Sequence, residues 1–289
     1  MEQELIMFIK NALYEDVREG DHSALACIPE NAQGKAKLLV KDNGIIAGVE
    51  VAKKICEVFD PKMKITSFSK DGDIVKKGEI ALEIEGSARS ILTTERLILN
   101  CMQRMSGIAT QTNQIVDLIG GTKAKLLDTR KTTPGIRFIE KWAVRIGGGQ
   151  NHRFGLYDMI MIKDNHIDFA GGIKQALVAV KEYQTKKKLN LKVEIEVRNE
   201  KELKEALSCG GFDRIMLDNF SPSEIRKALL LIPEKYETEA SGGISIHSIK
   251  DYAETGINFI SVGALTHSVK TFDLSLKSEF SFSQMNPLK

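Results

Sequence analysis

Residues 213–263, DRIMLDNFSPSEIRKALLLIPEKYETEASGGISIHSIKDYAETGINFISVG, decide the fold. Three short apolar runs, DRIMLDN (213–219), TEASGGI (238–244) and NFISVG (258–263), alternate with segments of helical texture. Nearly continuous apolar runs are what parallel strands covered on both faces require. The runs end at Asp218, Ser241 and Gly263, 23 and then 22 residues apart. So short a βα repeat suits a barrel better than an open sheet.

The same alternation extends back to Lys123 through AKLLDT (124–129), DMIMIKD (158–164) and KVEIEV (192–197). Six strands are therefore expected, each ending in a functional group: Asp128 with Arg130, then Lys163, Glu196, Asp218, Ser241 and Gly263. In βα barrels the carboxyl ends of the strands form one face, and active sites occupy it. A polar residue at one strand end can simply cap the next helix. Six together point to a site.

Residues 1–107 have a different texture. An amphipathic helix opens the chain, and short runs follow: AKLLV (36–40), IIAGVE (45–50), MKITSF (63–68) and IALEIEG (80–86). Turn signals at Asp42-Asn43-Gly44, Asp71-Gly72-Asp73 and Lys77-Gly78 predict a small, mostly antiparallel sheet with helices, one of them over 51–59. A long helix is expected from about Ser87 to Leu118, with Ile91, Leu97, Ile98, Met102 and Met105 on its apolar face. Residues 108–270 would form the barrel. The tail 271–289, alternating over 275–282, would return to the N-terminal domain. The fold class is α/β throughout.

Composition limits the function. The 289 residues carry a net charge of +2, with 42% hydrophobic and 28% charged residues. That balance argues against a nucleic-acid binder driven by overall charge. No apolar window is long enough to span a membrane, and the N-terminus lacks the basic and apolar regions of a signal peptide. Cys27, Cys56, Cys101 and Cys209 lie far apart without a CxxC or Cys/His cluster, as expected of reduced thiols in a cytoplasmic protein and not of a structural zinc site.

Against that near-neutral background, DTRKTTPG (128–135) and GGGQNHRFGLYDMIMIKDNH (147–166) concentrate Arg130, Lys131, His152, Arg153 and Lys163. Arginine forks suit carboxylate or phosphate, and lysine acts as a point charge. The triple glycine 147–149 permits close backbone approach. Glu196 and Asp218 place two carboxylates in this cationic setting, fit for a divalent cation, sugar hydroxyls or a developing positive charge. Glu194, on the same strand face as Glu196, is expected in an inward polar layer or a deeper ion pair. Ser241-Gly242-Gly243 and Gly263 are suited to seat a phosphate on backbone N–H groups. The set describes a phosphosugar with a charged leaving group.

The segments TTERLILNCMQRMSGIAT (93–110), AKLLDTRKTTPG, KWAVRIGGGQNHR, MIKDNH, EIEV, LDNF, SGGI and VGALTHS together resemble the quinolinate phosphoribosyltransferase family. They span roughly 93–268. EDVREGDHS matches the family's entry motif more loosely, with Ser23 where threonine is more usual. The resemblance implies an N-terminal α/β sandwich joined to an incomplete α/β barrel. It also implies homodimers with shared active sites, and hexamers built as trimers of dimers occur in that family. The implied reaction joins quinolinate and phosphoribosyl pyrophosphate, with Mg2+, giving nicotinate mononucleotide, pyrophosphate and carbon dioxide. Arg96, reaching into a partner's pocket, would bind the quinolinate carboxylates with Arg130, His152, Arg153 and Lys163. Lys131 would face the pyrophosphate. Glu196 and Asp218 would hold ribose and magnesium, and Ser241, Gly242 and Gly263 the 5′-phosphate. Glu196, Asp218, Lys131 and Lys163 form the implied catalytic set.

Three rivals are weaker. A nicotinate-using relative would need fewer cations. A biotinyl-type carrier, suggested by GDIVKKGEIALEIEG, would need a modifiable lysine in the turn expected at 87–90, which reads Ser-Ala-Arg-Ser. A nucleic-acid binder would need stacking aromatics, whereas Phe138, Trp142 and Phe154 read as packing residues.

Overall fold

The computed structural model describes residues 2–279. In chain order the elements are α1 (Glu2–Val17), α2 (His22–Cys27), β1 (Gln33–Val40), β2 (Gly44–Ile45), α3 (Val49–Phe59), β3 (Lys64–Ser67), β4 (Ile74–Val75), β5 (Ile80–Ser87) and α4 (Ala88–Leu118). There follow β6 (Lys125–Leu127), α5 (Arg137–Ile146), β7 (Ile160–Ile162), α6 (Asp164–Ala170), α7 (Ile173–Lys187), β8 (Val193–Val197) and α8 (Glu200–Cys209). The series closes with β9 (Arg214–Asp218), α9 (Pro222–Leu229), β10 (Glu237–Ser241), α10 (Ile249–Ala253), β11 (Phe259–Ser261), α11 (Ala264–His267) and β12 (Leu274–Glu279). The chain divides into two compact units, one formed by 2–111, 133–147 and 269–279, the other by 112–132 and 148–268. The division falls inside α4, and 133–147, which lies between two strands of the second unit, groups with the first.

The first unit is built on a four-stranded antiparallel sheet in the order β12-β1-β5-β3. Alternation explains its two faces. Ala36, Leu38 and Val40 of β1 and Leu82 and Ile84 of β5 are buried. On the other face Lys35 pairs with Glu83 at 2.7 Å and Lys37 with Glu279 at 2.6 Å. Of the tail, the expected strand 275–282 is observed to Glu279; residues 280–282 lie outside the described part.

Two expectations fail here. IIAGVE does not form a strand. Only Gly44–Ile45 pairs, and Gly48 turns at φ 94°, a left-handed conformation that glycine adopts freely. Val49 then starts α3, and its N–H donates to Asp71 Oδ1 at 2.8 Å. That carboxylate at a helix N-terminus satisfies an orphan donor and favours the dipole. Nor is there a turn at 87–90, because β5 passes into the 31-residue helix α4 at Ala88. A carrier hairpin has no counterpart there.

The second unit is an incomplete α/β barrel. Six parallel strands run in the order β6-β11-β10-β9-β8-β7, and among the described residues β6 and β7 do not pair with each other. Outside β6 only a bridge from Leu127 to Gln150 continues the sheet. Helices start where the sequence supplies caps. Ser221 and Glu224 form a capping box with Pro222 in the first turn of α9, and the Asn199 side chain accepts from the Glu202 N–H at α8. No described helix is long and apolar enough to cross a membrane.

Candidate active site

The strand ends of the second unit open on one cavity of about 890 Å³. Its lining includes every residue of that unit singled out from the sequence as a binding or catalytic candidate: Arg130, Lys131, His152, Arg153, Lys163, Glu196, Asp218, Ser241, Gly242 and Gly263. Arg96 belongs to the first unit, exposed on α4, and is not among the lining residues.

The cations are held by short local structures. After β6 the Lys131 N–H donates to Thr129 Oγ1 at 3.0 Å, and the Lys131 carbonyl accepts from Thr266 Oγ1 at 2.7 Å. Asp128, counted among the strand-end groups, does not face the cavity. It is fully buried, accepts the His152 N–H at 2.8 Å and the Asn151 side-chain amide, and so fixes the loop carrying His152 and Arg153. The Arg153 N–H donates to His152 Nδ1 at 2.6 Å, and its guanidinium donates to the Met159 carbonyl at 3.2 Å. Burial and the nearby Arg130 guanidinium pull the Arg153 pKa below its ordinary value. At the start of α6 the Lys163 N–H donates to His166 Nδ1 at 2.9 Å, while Lys163 Nζ stands 3.7 Å from Glu196 Oε2.

Both central carboxyls are pushed above their ordinary range, chiefly by burial, and the Lys163 ammonium opposes the shift at each. Asp218 adds to the rise at Glu196. Two carboxyl groups facing one cavity offer oxygen donors suited to a cation or a cationic centre.

The far side of the cavity is backbone. Gly242, at φ 95°, leaves room where a Cβ would collide with Asn219 Oδ1 and lie 2.8 Å from the Asn219 nitrogen. A Cβ at Gly263 would meet Lys131 Cδ at 2.9 Å and the His267 ring at 3.2 Å. Glycine is therefore required sterically at Gly242, whereas at Gly263, with φ −65°, the neighbours are side chains that can give way.

Beneath the cavity floor, β8 and β10 bring Glu194 and Glu239 together, both fully buried. His152 Nε2 lies 3.0 Å from Glu194 Oε2 and 3.5 Å from Glu239 Oε1, and Arg214 Nη1 donates to Glu239 Oε2 at 2.9 Å. Burial pushes both carboxyls up to about 7. Glu194 thus occupies the deeper ionic layer expected of it.

Gly243, read from the sequence as part of the phosphate turn, also lines the cavity; sequence reasoning did not single out His267, Asn219, Thr129 or Asp164, which line it too. His267 lies one helical turn after Gly263, and Asn219 takes a left-handed φ of 58° directly after Asp218. The LDNF and VGALTHS runs contained both, but only folding brings them to the rim.

Two family descriptions match. "Quinolinate phosphoribosyl transferase, C-terminal domain" covers residues 108–277, and its N-terminal counterpart covers 21–106. The chain is 46% identical over 284 residues to a chloroplastic "Nicotinate-nucleotide pyrophosphorylase [carboxylating]" of Oryza sativa subsp. japonica, covering 93% of this chain and 76% of the relative. It is 42% identical to the probable enzyme of the same name from Bacillus subtilis, covering 94% and 93% of the two chains. The solved structure of the nicotinate-nucleotide pyrophosphorylase from Francisella tularensis superposes with a TM-score of 0.89 at 41% identity, over 96% of this chain and 97% of that one. On the match of both domain descriptions and of these full-length relatives, the chain belongs to the quinolinate phosphoribosyl transferase family.

Proposed function

We propose that this protein transfers the phosphoribosyl group of phosphoribosyl pyrophosphate to quinolinate, with decarboxylation, and so supplies nicotinate mononucleotide for NAD biosynthesis. The observation that carries the reading is the three-part lining of one cavity: cations after β6 and at β7, carboxylates at β8 and β9, glycine turns after β10 and β11.

The roles follow from that order. Arg130, His152, Arg153 and Lys163 bind the two carboxylates of quinolinate. Lys131 faces the pyrophosphate. Ser241, Gly242 and Gly263 take the 5′-phosphate, with Gly242 at a turn where a Cβ would meet the Asn219 main chain. Glu196 and Asp218 hold the ribose hydroxyls and stabilise positive charge at the anomeric carbon. The ring nitrogen attacks that carbon as pyrophosphate leaves. The resulting pyridinium accepts the electron pair released when the adjacent carboxylate departs as carbon dioxide, and a proton then replaces it.

Magnesium fits the carboxylate oxygens of Glu196 and Asp218, which face the same cavity. When bound, it supplies charge neutralisation for the diphosphate. A homodimer is proposed, with Arg96 completing the partner's site, and a hexamer of three such dimers is compatible with it. Four free cysteines support a cytoplasmic setting.

The test is a coupled assay of pyrophosphate and carbon dioxide release. Quinolinate should be consumed and nicotinate should not, because a missing carboxylate leaves desolvated cations unpaired. Equal turnover of both acids defeats the reading.

A further inference from the structure

We propose that the buried carboxylate of Glu194, backed by Glu239 and Arg214, is a positioning device for the acid-binding side of the cavity, acting through the His152 ring on Arg153. The proposal rests on the quinolinate reading above for its substrate, but on geometry alone for its mechanism.

His152 is a bridge. Its Nδ1 accepts the Arg153 N–H at 2.6 Å, and its Nε2 is held against Glu194 Oε2 at 3.0 Å and near Glu239 Oε1 at 3.5 Å. One ring nitrogen thus grips the loop and the other grips the barrel interior. Glu239 is anchored in turn, because Arg214 Nη1 donates to it at 2.9 Å and the Arg214 guanidinium lies 4.0 Å over the Phe259 ring. The main chain of the loop is fixed by the Gln150 N–H, which donates to the Leu126 carbonyl at 2.8 Å, and by Asp128, which holds the His152 N–H. Glu194 Oε2 faces the ring nitrogen on the opposite side.

Fully buried polar groups are costly unless they are matched. The Glu194 carboxylate is offset by the nearby Arg214 and Arg153 guanidinium groups, and the His152 ring is the polar group closest to its Oε2, at 3.0 Å. Rigid support of this kind sets how well a binding side chain is placed. Glu194 does not line the cavity itself but backs His152, which does, so its effect should fall on quinolinate and spare the phosphosugar.

The experiment compares Glu194→Ala and Glu194→Gln with wild type in the intact enzyme. Steady-state kinetics are paired with hydrogen exchange of the backbone amides in 150–155. Glu239 keeps Arg214 paired in either variant, and glutamine preserves the shape and an acceptor for Nε2–H. In Glu194→Ala the quinolinate KM should rise by about tenfold, with the phosphoribosyl pyrophosphate KM and kcat within about twofold. Exchange in 150–155 should accelerate while other segments stay unchanged, and Glu194→Gln should recover most of both. Equal rises in the two KM values, unchanged exchange, or a glutamine variant as impaired as alanine overturns the proposal. If wild type does not use quinolinate, the functional reading fails by itself, and the exchange arm still decides whether Glu194 positions the loop.

Discussion

Asp218 sits where burial raises its pKa and Lys163 lowers it, while Asn219 Nδ2 donates to its Oδ2 at 2.6 Å. Asp218→Asn keeps this shape and removes the charge. Turnover should fall by more than about tenfold, equivalent to roughly 1.4 kcal/mol of barrier. Calorimetry with quinolinate alone should show little change, because in the proposed site the acid would rest against the cationic side. Gly242 tests the opposite wall. At φ 95° with the Asn219 backbone 2.8 Å from a would-be Cβ, Gly242→Ala meets main chain that cannot step aside. The melting temperature should drop and phosphoribosyl pyrophosphate binding weaken, with quinolinate affinity retained.

At the scale of the element, α5 shows how a charged helix can be buried. Glu140 is fully enclosed, and it accepts from Arg104 of α4 at 2.7 Å, from the Thr133 N–H at 3.0 Å and from the Thr133 hydroxyl at 2.8 Å. Glu140→Leu removes the acceptor from all of these. Because Arg104 is partly exposed, the loss should be about 3 kcal/mol, the lower end for a broken buried pair, read by urea denaturation. The strand β10 makes a second case. Burial and the neighbouring Glu194 push Glu239 up to about 7, above the roughly 4.3 of an unfolded glutamate. The folded state then binds the extra proton, so this contribution is full below the unfolded value and is lost as pH rises through about 7. Wild-type melting temperature should fall between about pH 4 and 7, and Glu239→Gln should reduce that slope. An unchanged slope means that Glu239 is ionised throughout.

For the whole molecule, the decisive question is whether Arg96 serves the site of a second copy. Arg96→Ala should abolish activity without lowering the melting temperature. Mixed with Lys163→Ala, it should recover part of the activity once subunits exchange, since each mixed dimer holds one site with both native residues. Exchange shown by labelled subunits without any recovery would exclude the shared site.

The sequence by itself determined the parallel barrel, because strands buried on both faces must be apolar and strands in a βα repeat must recur at short spacing. It also determined the chemical character of the cavity, since the residues ending β7 to β10 and those following β6 and β11 are local to their strands. Tertiary structure alone decided three things. It turned Asp128 away from the cavity into a brace for the loop of His152, a choice made by a contact across 24 residues. It replaced the expected strand at 45–50 with a turn and the start of α3, because Asp71, distant in sequence, accepts the Val49 N–H. It also set Glu194 and Glu239 on either side of the His152 ring nitrogen, a meeting of three segments that no local pattern records. Periodicity reports which face of an element is buried; what that face meets depends on neighbours far along the chain.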